Sequence, residues 1–374
     1  MATNQLYDAW KEWLEQLFPN ERVTRVRTIA AALMGLYRGK SVHLSKIASE
    51  VPGRALLLSQ ERRMSRLLDN PAFNPKRWYR MIACWWLAWC AHNFGELVLI
   101  VDGTKVSANH QLLMVALALK GRALPIAWTW VKGGRGHSSR SKQLALLARV
   151  HGMVPPGTAV TLVGDSEFGS VDLMRHVAQE WHWNYVLHQK SNNQVRPSAD
   201  AQWQDFDRLV MQSGSYHFIQ DGYLTEKHAY QTNLLAVWQK GEKQCWLLAS
   251  SFSSMSETMR YYRQRMLIEQ MFGDFKGHGF DLEHTRLRHF QRLGRLTLLV
   301  CLLYVWLIRT GLMLVISRRS NLVDRNDRRD LCLFQLGVRY IRRLLNNNDY
   351  FRIRLCPDNL YDIMPCDQIK LSGS

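Results

Sequence analysis

The chain has 374 residues, of which 47% are apolar and 11% aromatic, so it is not a disordered polymer and can bury a core divided into two or three modules. Lysine and arginine number 49 against 31 aspartates and glutamates, and the resulting net charge of +18 is spread along the sequence. An excess of this size favours a polyanionic partner, either a nucleic acid or an anionic membrane surface.

Two apolar runs bear on the choice between these partners. Ala83–Cys90 is too short to span a bilayer, and Leu296–Ile316 reaches spanning length only by including Arg309 and Thr310. Both runs therefore predict buried helices, which leaves a nucleic acid as the expected partner. Met1–Phe18 is amphipathic and mixed in charge, without the pattern of a secretion signal, so we expect a cytoplasmic protein.

The cysteines and histidines predict no metal centre of their own. None of the seven cysteines forms a C-x-x-C pair, and none has a histidine at zinc-finger spacing. We expect reduced thiols, and histidines that lie on the surface or in packing positions.

The amino-terminal part of the chain has apolar residues at helical spacing from about residue 7 to 93, which predicts a helical module. Within it, Ser41–Gly53 resembles the first half of a helix-turn-helix. The next helix could begin near Ser59, and one of its sides would present three arginines to a DNA groove: Arg62, Arg63 and Arg66. A solvated basic face on a packing helix explains the same pattern, so both interpretations stay open.

The following segment alternates apolar runs with helical spacing. The order is strand, strand, strand, helix, strand, helix, strand, which predicts an α/β domain with a mixed sheet. The predicted strands cover residues 96–102, 112–119, 124–131, 158–164 and 183–188, and the predicted helices cover 138–150 and 171–180.

The pattern changes again in the last third of the chain. Short alternating spacing over 191–250 predicts a β-rich insertion, 255–276 is predicted as one long helix, and helical spacing with clustered basic residues continues to about Asn346. We therefore predict five segments: a helical DNA-end-binding domain (1–94), a catalytic core in two parts (95–190 and 251–290), the β-rich insertion (191–250) and a basic helical tail (291–374).

Two acids stand at predicted strand ends. Asp102 ends the first strand, and Asp165 follows the fourth in the sequence Gly-Asp-Ser-Glu-Phe-Gly. Strand ends at one edge of a sheet can bring two carboxylates together. Taken singly, however, such an aspartate is more often a helix cap or a turn former.

The predicted long helix adds a third acid. Arg265, Glu269 and Lys276 follow Tyr262 at offsets of three, seven and fourteen residues, which at about 100° per residue places all four within about 60° on one helical face. A solvated helix can carry such a stripe by chance. This one also has apolar neighbours with which it could pack against a sheet: Leu267, Ile268, Met271 and Phe272.

The spacing Tyr262-x2-Arg265-x3-Glu269-x6-Lys276 matches the Y-x2-R-x3-E-x6-K signature of bacterial cut-and-paste transposases of insertion sequence family four, and the chain resembles this family from its first predicted strand to the end of the signature. The resemblance implies a ribonuclease-H-like catalytic core of the type called DDE. It also implies that divalent metal ions are bound by three carboxylates: Asp102, Asp165 and Glu269.

The chemistry of DNA cleavage accounts for such a site. In-line attack at a phosphodiester develops charge on the entering and leaving oxygens, which two Mg²⁺ ions can stabilise, and Mn²⁺ could substitute. Carboxylates and water suit Mg²⁺, so a site without histidine or cysteine is appropriate. Tyr262, Arg265 and Lys276 would contact phosphates of double-stranded DNA, and we expect a homodimer in the DNA complex.

Two further features are candidates for DNA contacts. The resemblance places Trp246, in a Trp-Leu-Leu sequence, where related transposases stack a tryptophan on a base that is flipped during hairpin formation. With 14 tryptophans in the chain, a core position is as good an interpretation. The basic, glycine-rich segment Lys132–Arg140 predicts a phosphate-contacting loop that includes Arg140, but it lacks the spacing of a nucleotide-binding loop.

The function that these features predict is metal-dependent cleavage at transposon ends and strand transfer into target DNA, by a cut-and-paste route that could pass through a hairpin. One alternative is a ribonuclease-H-like nuclease or resolvase that cuts without joining. Another is a DNA-binding protein derived from a transposase that has lost catalysis.

Overall fold

The structure is a computed structural model that describes residues 2–133 and 138–356. The α-helices of these residues are α1 (Ala2–Leu17), α2 (Val23–Gly39), α3 (Leu44–Ser49), α4 (Leu57–Asp69), α5 (Pro75–Phe94), α6 (Arg140–His151), α7 (Val171–Gln179), α8 (Met255–Tyr262), α9 (Met266–Phe275), α10 (Phe290–Ile316) and α11 (Leu333–Asn347). The strands are β1 (Glu96–Ser107), β2 (His110–Leu119), β3 (Arg122–Lys132), β4 (Ala159–Gly164), β5 (Asn184–His188), β6 (Gln194–Arg196), β7 (Gln204–Asp205), β8 (Tyr216–Leu224), β9 (Tyr230–Val237) and β10 (Trp246–Ser250).

Contacts divide the chain into two compact units. Unit 1 comprises Met1–Trp89, Lys105–His110 and Met271–Ser374, and unit 2 comprises Cys90–Thr104 and Gln111–Gln270. The amino-terminal helices and the helices near the carboxyl end thus belong to the same unit. The finer division into five segments stays a prediction.

Unit 1 is helical and is built around α10. This helix is long and apolar enough to cross a membrane by length and composition alone, but 78% of its most apolar window is buried in the protein. A Cβ on Gly311 of α10 would come within 2.0 Å of the Leu333 carbonyl oxygen of α11, so these two helices pack with their backbones in contact. The predicted burial of Leu296–Ile316 is confirmed up to its exposed last residue, and Ala83–Cys90 is, as predicted, a largely buried part of a helix, α5.

The predicted helix that carries the three arginines is present in unit 1 as α4, which begins two residues earlier than expected, at Leu57. It packs against α3, and its buried side is formed by Met64, Leu67 and Leu68. The predicted arginines lie on the remaining surface, where Arg62 and Arg66 are exposed and Arg63 is partly buried. Their role in reading DNA stays a prediction.

Unit 2 contains a ten-stranded mixed sheet in the order β3-β2-β1-β4-β5-β10-β9-β8-β6-β7. Strands β1, β4 and β5 are parallel neighbours, whereas β1, β2 and β3 follow one another through two-residue connections, which only antiparallel neighbours can have. Helices α6 and α7 pack on the strands that adjoin them in sequence. This order of the first five strands is the ribonuclease-H-like arrangement that the resemblance implied.

The β-rich insertion is present, and its strands extend the same sheet. Strand β10 pairs antiparallel with β5 and with β9, which joins β9, β8, β6 and β7 to the parallel centre. A local alternating pattern predicts strands but not their long-range partners, because strand pairing is decided by packing across the sheet.

Two sequence predictions about individual elements were wrong. The strand predicted to end at Asp102 continues to Ser107. Its parallel pairing with β4 stops at Val101, but β1 also has β2 as a neighbour on its other side. The single helix predicted over 255–276 is interrupted by a 3-10 turn at Arg263–Arg265 and ends at Phe275. The tighter turn breaks the regular 100° rotation that placed four side chains on one face.

Candidate active site

The two aspartates follow equivalent positions of neighbouring strands. The parallel register of β1 and β4 ends with Val101 opposite Gly164, and Asp102 and Asp165 are the residues that directly follow this last pair. Because parallel strands run in the same direction, the two side chains lie at the same edge of the sheet. The prediction from strand ends therefore holds for their proximity, although Asp102 is inside its strand.

Asp102 is a buried carboxyl group in unit 2. Its side chain accepts a hydrogen bond of 2.6 Å from the Gly103 N–H, and the residue is only 7% exposed. Burial, followed by the negative charge of Asp165, raises the pKa of Asp102 to about 7, although the Arg265 guanidinium lowers it. The positive charge of Arg265 therefore does not offset the combined effect of burial and of Asp165 on the Asp102 carboxyl group.

Asp165 is both a turn former and a member of this site. It precedes a 3-10 turn, Ser166–Phe168, and its Oδ1 accepts a 2.8 Å hydrogen bond from the Glu167 N–H. Burial nevertheless raises its pKa above the usual value, because that hydrogen bond and Arg265 do not fully compensate the loss of water. Asp165 is therefore a turn former, and its role as a catalytic acid stays a prediction.

Arg265 forms ion pairs with two of the three acids, Glu269 and Asp102. Its Nη1 lies 2.6 Å from Glu269 Oε1 and 3.6 Å from Asp102 Oδ2. The Arg265 side chain is mostly buried, whereas 42% of the Glu269 side chain is exposed. The three acids are therefore gathered around one guanidinium group.

Aromatic rings form the wall beside Arg265. Tyr262 is 4% exposed; its ring lies 5.8 Å below the Arg265 guanidinium, stacks with His188 at 6.0 Å and meets Trp246 edge-on at 4.9 Å. Burial raises the pKa of Tyr262 to about 12 and, with help from Arg265, lowers that of His188 to about 4. Both side chains are therefore neutral at physiological pH.

These groups line a cavity of about 680 Å³ in unit 2. The carboxylates of Asp165 and Glu269 open into it beside Arg265, Tyr262 and Trp246. Its far side is formed by the segment between β9 and β10, residues 241–245. Acidic, cationic and aromatic groups thus face one space that is large enough for part of a nucleotide.

No three acidic, histidine or cysteine side chains of residues 2–133 and 138–356 converge closely enough to hold one metal ion. At this site the Arg265 guanidinium pairs with both Asp102 and Glu269. The donor set itself suits a divalent cation, since Asp102 and Asp165 are two neighbouring carboxyl groups whose pKa values burial raises. A cation bound by all three acids requires Arg265 to move.

Comparison with known proteins identifies the family. The family described as transposase DDE domain matches residues 93–306, more than half of the chain. The chain belongs to this family. The matched range contains all three acids and the whole Tyr-Arg-Glu-Lys signature, and DDE transposases generally use divalent metal ions.

The other comparisons add little. A search of curated proteins finds no match. Among solved structures, a piggyBac transposase synaptic complex with hairpin DNA is similar with a TM-score of 0.41 and 10% sequence identity, over 98% of this chain and 86% of that chain. A likeness at this level does not define fold or function.

Other predicted DNA contacts of this transposase are placed as follows. Lys276 lies in unit 1, directly after α9, with its Nζ 2.5 Å from Glu283 Oε1. Arg140, at the start of α6 in unit 2, forms an ion pair with Asp172. Residues 134–137 of the predicted basic loop lie outside the described residues. The DNA-binding roles of these residues stay predictions.

Glu167 is a site residue that the sequence interpretation missed. Its Oε1 accepts hydrogen bonds of 2.6 Å from both the N–H and the hydroxyl of Ser138, and its Oε2 accepts one of 2.9 Å from Gln111. Gln143 donates to the Glu167 carbonyl at 3.1 Å. The only signal in the sequence was its place two residues after Asp165.

The Glu167 side chain connects the turn after Asp165 to β2 through Gln111 and to the residues before α6 through Ser138. Its removal is therefore expected to lower the stability of unit 2. Glu167→Ala leaves three donors without their acceptor, which should lower the free energy of unfolding by about 3 kcal/mol, whereas Glu167→Gln should cost about 1 kcal/mol. Chemical denaturation of both variants measures this. A Glu167→Ala value within about 0.5 kcal/mol of wild type, the range of ordinary surface substitutions, would show that the network is not structural.

Proposed function

We propose that this DDE transposase cleaves DNA at transposon ends and joins those ends to target DNA, with Asp102, Asp165 and Glu269 as its metal-binding acids. The observation that carries the proposal is the placement of buried Asp102 and partly buried Asp165 at matching positions, directly after the last paired residues of neighbouring parallel strands. Burial raises the pKa of both carboxyl groups, as it often does for acids at functional sites.

The acids would hold divalent ions, for which we propose two Mg²⁺, with Mn²⁺ as a substitute. When bound, these ions would activate the attacking oxygen and stabilise the leaving oxygen of the phosphodiester. Asp102 would act from the buried end of the site and Glu269 from its solvent-facing end.

Arg265 would have two successive tasks. Without metal it balances Asp102 and Glu269, which keeps the acids from repelling one another. Once the acids bind cations, Arg265 would be released to contact a DNA phosphate, for which its planar, forked group is well suited. Tyr262 supports it from below and offers a neutral hydroxyl as a hydrogen-bond donor.

The remaining assignments complete the proposal. Lys276, Arg140 and the arginines of α4 would contact the DNA backbone or groove, and Trp246 would stack on a base at the cavity. We propose the duplex ends of the element and the target as partners, a homodimer in the DNA complex, and a cytoplasmic location at the bacterial nucleoid. The signature further suggests insertion sequence family four and a cut-and-paste route.

The experiment is an in vitro transposition assay with the full-length protein. Duplexes that carry the flanking element ends are incubated with a target plasmid in Mg²⁺, in Mn²⁺, or with EDTA, and the products are resolved on a denaturing gel. We expect end cleavage and joined products with either metal. With EDTA we expect the rate to fall by more than about a thousandfold, since bound metal ions lower the barrier by several kcal/mol when they stabilise the charge of the transition state.

The same gel separates the alternatives. Cleavage without joined products would indicate a nuclease or resolvase. DNA binding with no cleavage in either metal would indicate a DNA-binding protein without catalysis and would contradict the proposal.

A further inference from the structure

A second cavity lies in unit 1, among α2, α4 and the residues that precede α4. Its volume is about 480 Å³, and four arginines line it: Arg22, Arg25, Arg63 and Arg66. No acidic residue belongs to the described lining. Such a concentration of positive charge in one concave space indicates a site for an anion.

Two helix ends add to this charge. Helix α2 follows Arg22 and helix α4 follows Leu56; neither has a side-chain cap or an acid in its first turn. Thr24 and Ser59, from these first turns, both line the cavity. The first N–H groups of a helix have no partner within it and carry partial positive charge, so two uncapped ends at one cavity favour an anion there.

Arg25 and Arg63 are two of the arginines that line the cavity. Its side chain is mostly buried, one of its terminal nitrogens pairs with Glu21, and its Nε is buried without a hydrogen-bond partner among the described residues. Burial lowers the pKa of Arg25, and the charge of Arg77 lowers it further. Arg63 is held at the cavity by a 3.0 Å hydrogen bond from its Nε to Thr28. Both guanidinium groups are thus held in place as cationic members of the cavity lining.

We propose that this cavity binds a phosphate group of the DNA backbone. Arginine forks and helix amino termini are both suited to phosphate oxygens. The cavity would therefore position the duplex rather than read its sequence, since backbone contacts carry no sequence information directly. Of the three arginines of α4, Arg63 and Arg66 line the cavity and would contact the phosphate, whereas Arg62 does not line it. The assignment to DNA rests on the proposed function.

The first measurement uses inorganic phosphate on the full-length protein. Thermal melting is recorded in phosphate and in chloride at equal ionic strength. We expect phosphate to raise the melting temperature of the wild type, to have little effect on Arg66→Gln, and none on Arg25→Gln/Arg66→Gln. Arg343→Gln, a change at an exposed arginine of α11, is the matched control and should respond like the wild type.

The second measurement uses a fluorescent DNA duplex of arbitrary sequence over a series of salt concentrations. Loss of one phosphate contact should reduce the slope of log K against log salt by about 0.9 in the double variant, and by less in Arg66→Gln, which keeps Arg25. The Arg343→Gln slope should equal that of the wild type.

Phosphate stabilisation with unchanged slopes would overturn the assignment to DNA, because the ligand would then be a free phosphate. A wild type that gains no stability from phosphate, or a control that loses as much slope as the double variant, would overturn the site itself. Neither measurement involves cleavage, so the outcome is independent of whether the protein is a catalytic transposase.

Discussion

Asp102→Asn, Asp165→Asn and Glu269→Gln are each expected to abolish DNA cleavage while DNA binding survives. Each substitution removes a negative charge and a ligand oxygen from the proposed metal site, and a loss of about 4 kcal/mol in transition-state stabilisation corresponds to about a thousandfold in rate. The measurement is end cleavage in Mg²⁺ on a denaturing gel, with duplex binding measured in parallel. Cleavage within about tenfold of the wild type, only about 1.4 kcal/mol in barrier, would remove that acid from the catalytic set.

The control for this series is Glu226→Gln, which removes an exposed acid of unit 2. It changes the net charge equally and should cleave like the wild type. If it lost activity to the same extent, the effect of the three substitutions would be one of overall charge.

The stability of Asp102→Asn gives a second check on the same residue. The folded-state pKa of about 7 lies above the usual aspartate value of 3.8, so the folded protein holds this proton more tightly than the unfolded chain. The resulting stability is present below about pH 4 and is lost as the pH rises to about 7. Without metal at pH 8, Asp102→Asn should therefore unfold at a higher temperature than the wild type, by a free energy on the order of a few kcal/mol. Equal melting temperatures of the variant and the wild type at pH 8 would show that the charged Asp102 side chain does not destabilise the folded protein.

Trp246→Ala is expected to nick the first strand and then to stop. A transposon-end hydroxyl can cut the opposite strand directly only if the duplex bends into a tight hairpin, and this requires a base to leave the stack. Flipping costs a few kcal/mol, of which stacking on an aromatic ring returns about 1–3 kcal/mol. Trp246 lines the cavity and is held edge-on by Tyr262. The variant should accumulate nicked DNA and lose hairpin and double-strand products.

The matched control is Trp203→Ala, in the same insertion. Trp203 packs against the Arg196 guanidinium, 4.5 Å from its ring, and does not line the cavity. Thermal melting of both variants separates stacking from folding, because a core defect would slow every step together. A Trp246→Ala protein that melts normally and forms hairpins at the wild-type rate would exclude this residue as the stacking group.

The centre of the sheet could be predicted from the sequence, because apolar runs of strand length and the turns between them are local signals. The proximity of Asp102 and Asp165 followed from the same pattern, since both acids directly follow apolar runs that pair as neighbouring parallel strands. The extent of β1 could not be predicted, because the five residues after Asp102 include only one large apolar residue, Val106, and pairing with a neighbour keeps them extended.

The contacts within the site could not be predicted from the sequence, for a physical reason. The Tyr-Arg-Glu spacing predicted neighbours on a helix, but the 3-10 turn at Arg263–Arg265 and the reach of Arg265 to Asp102 depend on packing between elements. The bonds of Glu167 to Ser138 and Gln111 join residues far apart in the chain. Periodicity carries no information about such long-range pairs.

The most direct test of the metal-binding trio is a crystal structure of the protein bound to an element-end duplex in Mn²⁺, with anomalous scattering to locate the metal. We expect two manganese peaks near the carboxylates of Asp102, Asp165 and Glu269, at oxygen distances of about 2.0–2.2 Å as for a hard divalent cation, and Arg265 turned to a DNA phosphate. Manganese bound elsewhere, with Arg265 still paired to Asp102 and Glu269 while DNA occupies the cavity, would contradict the account.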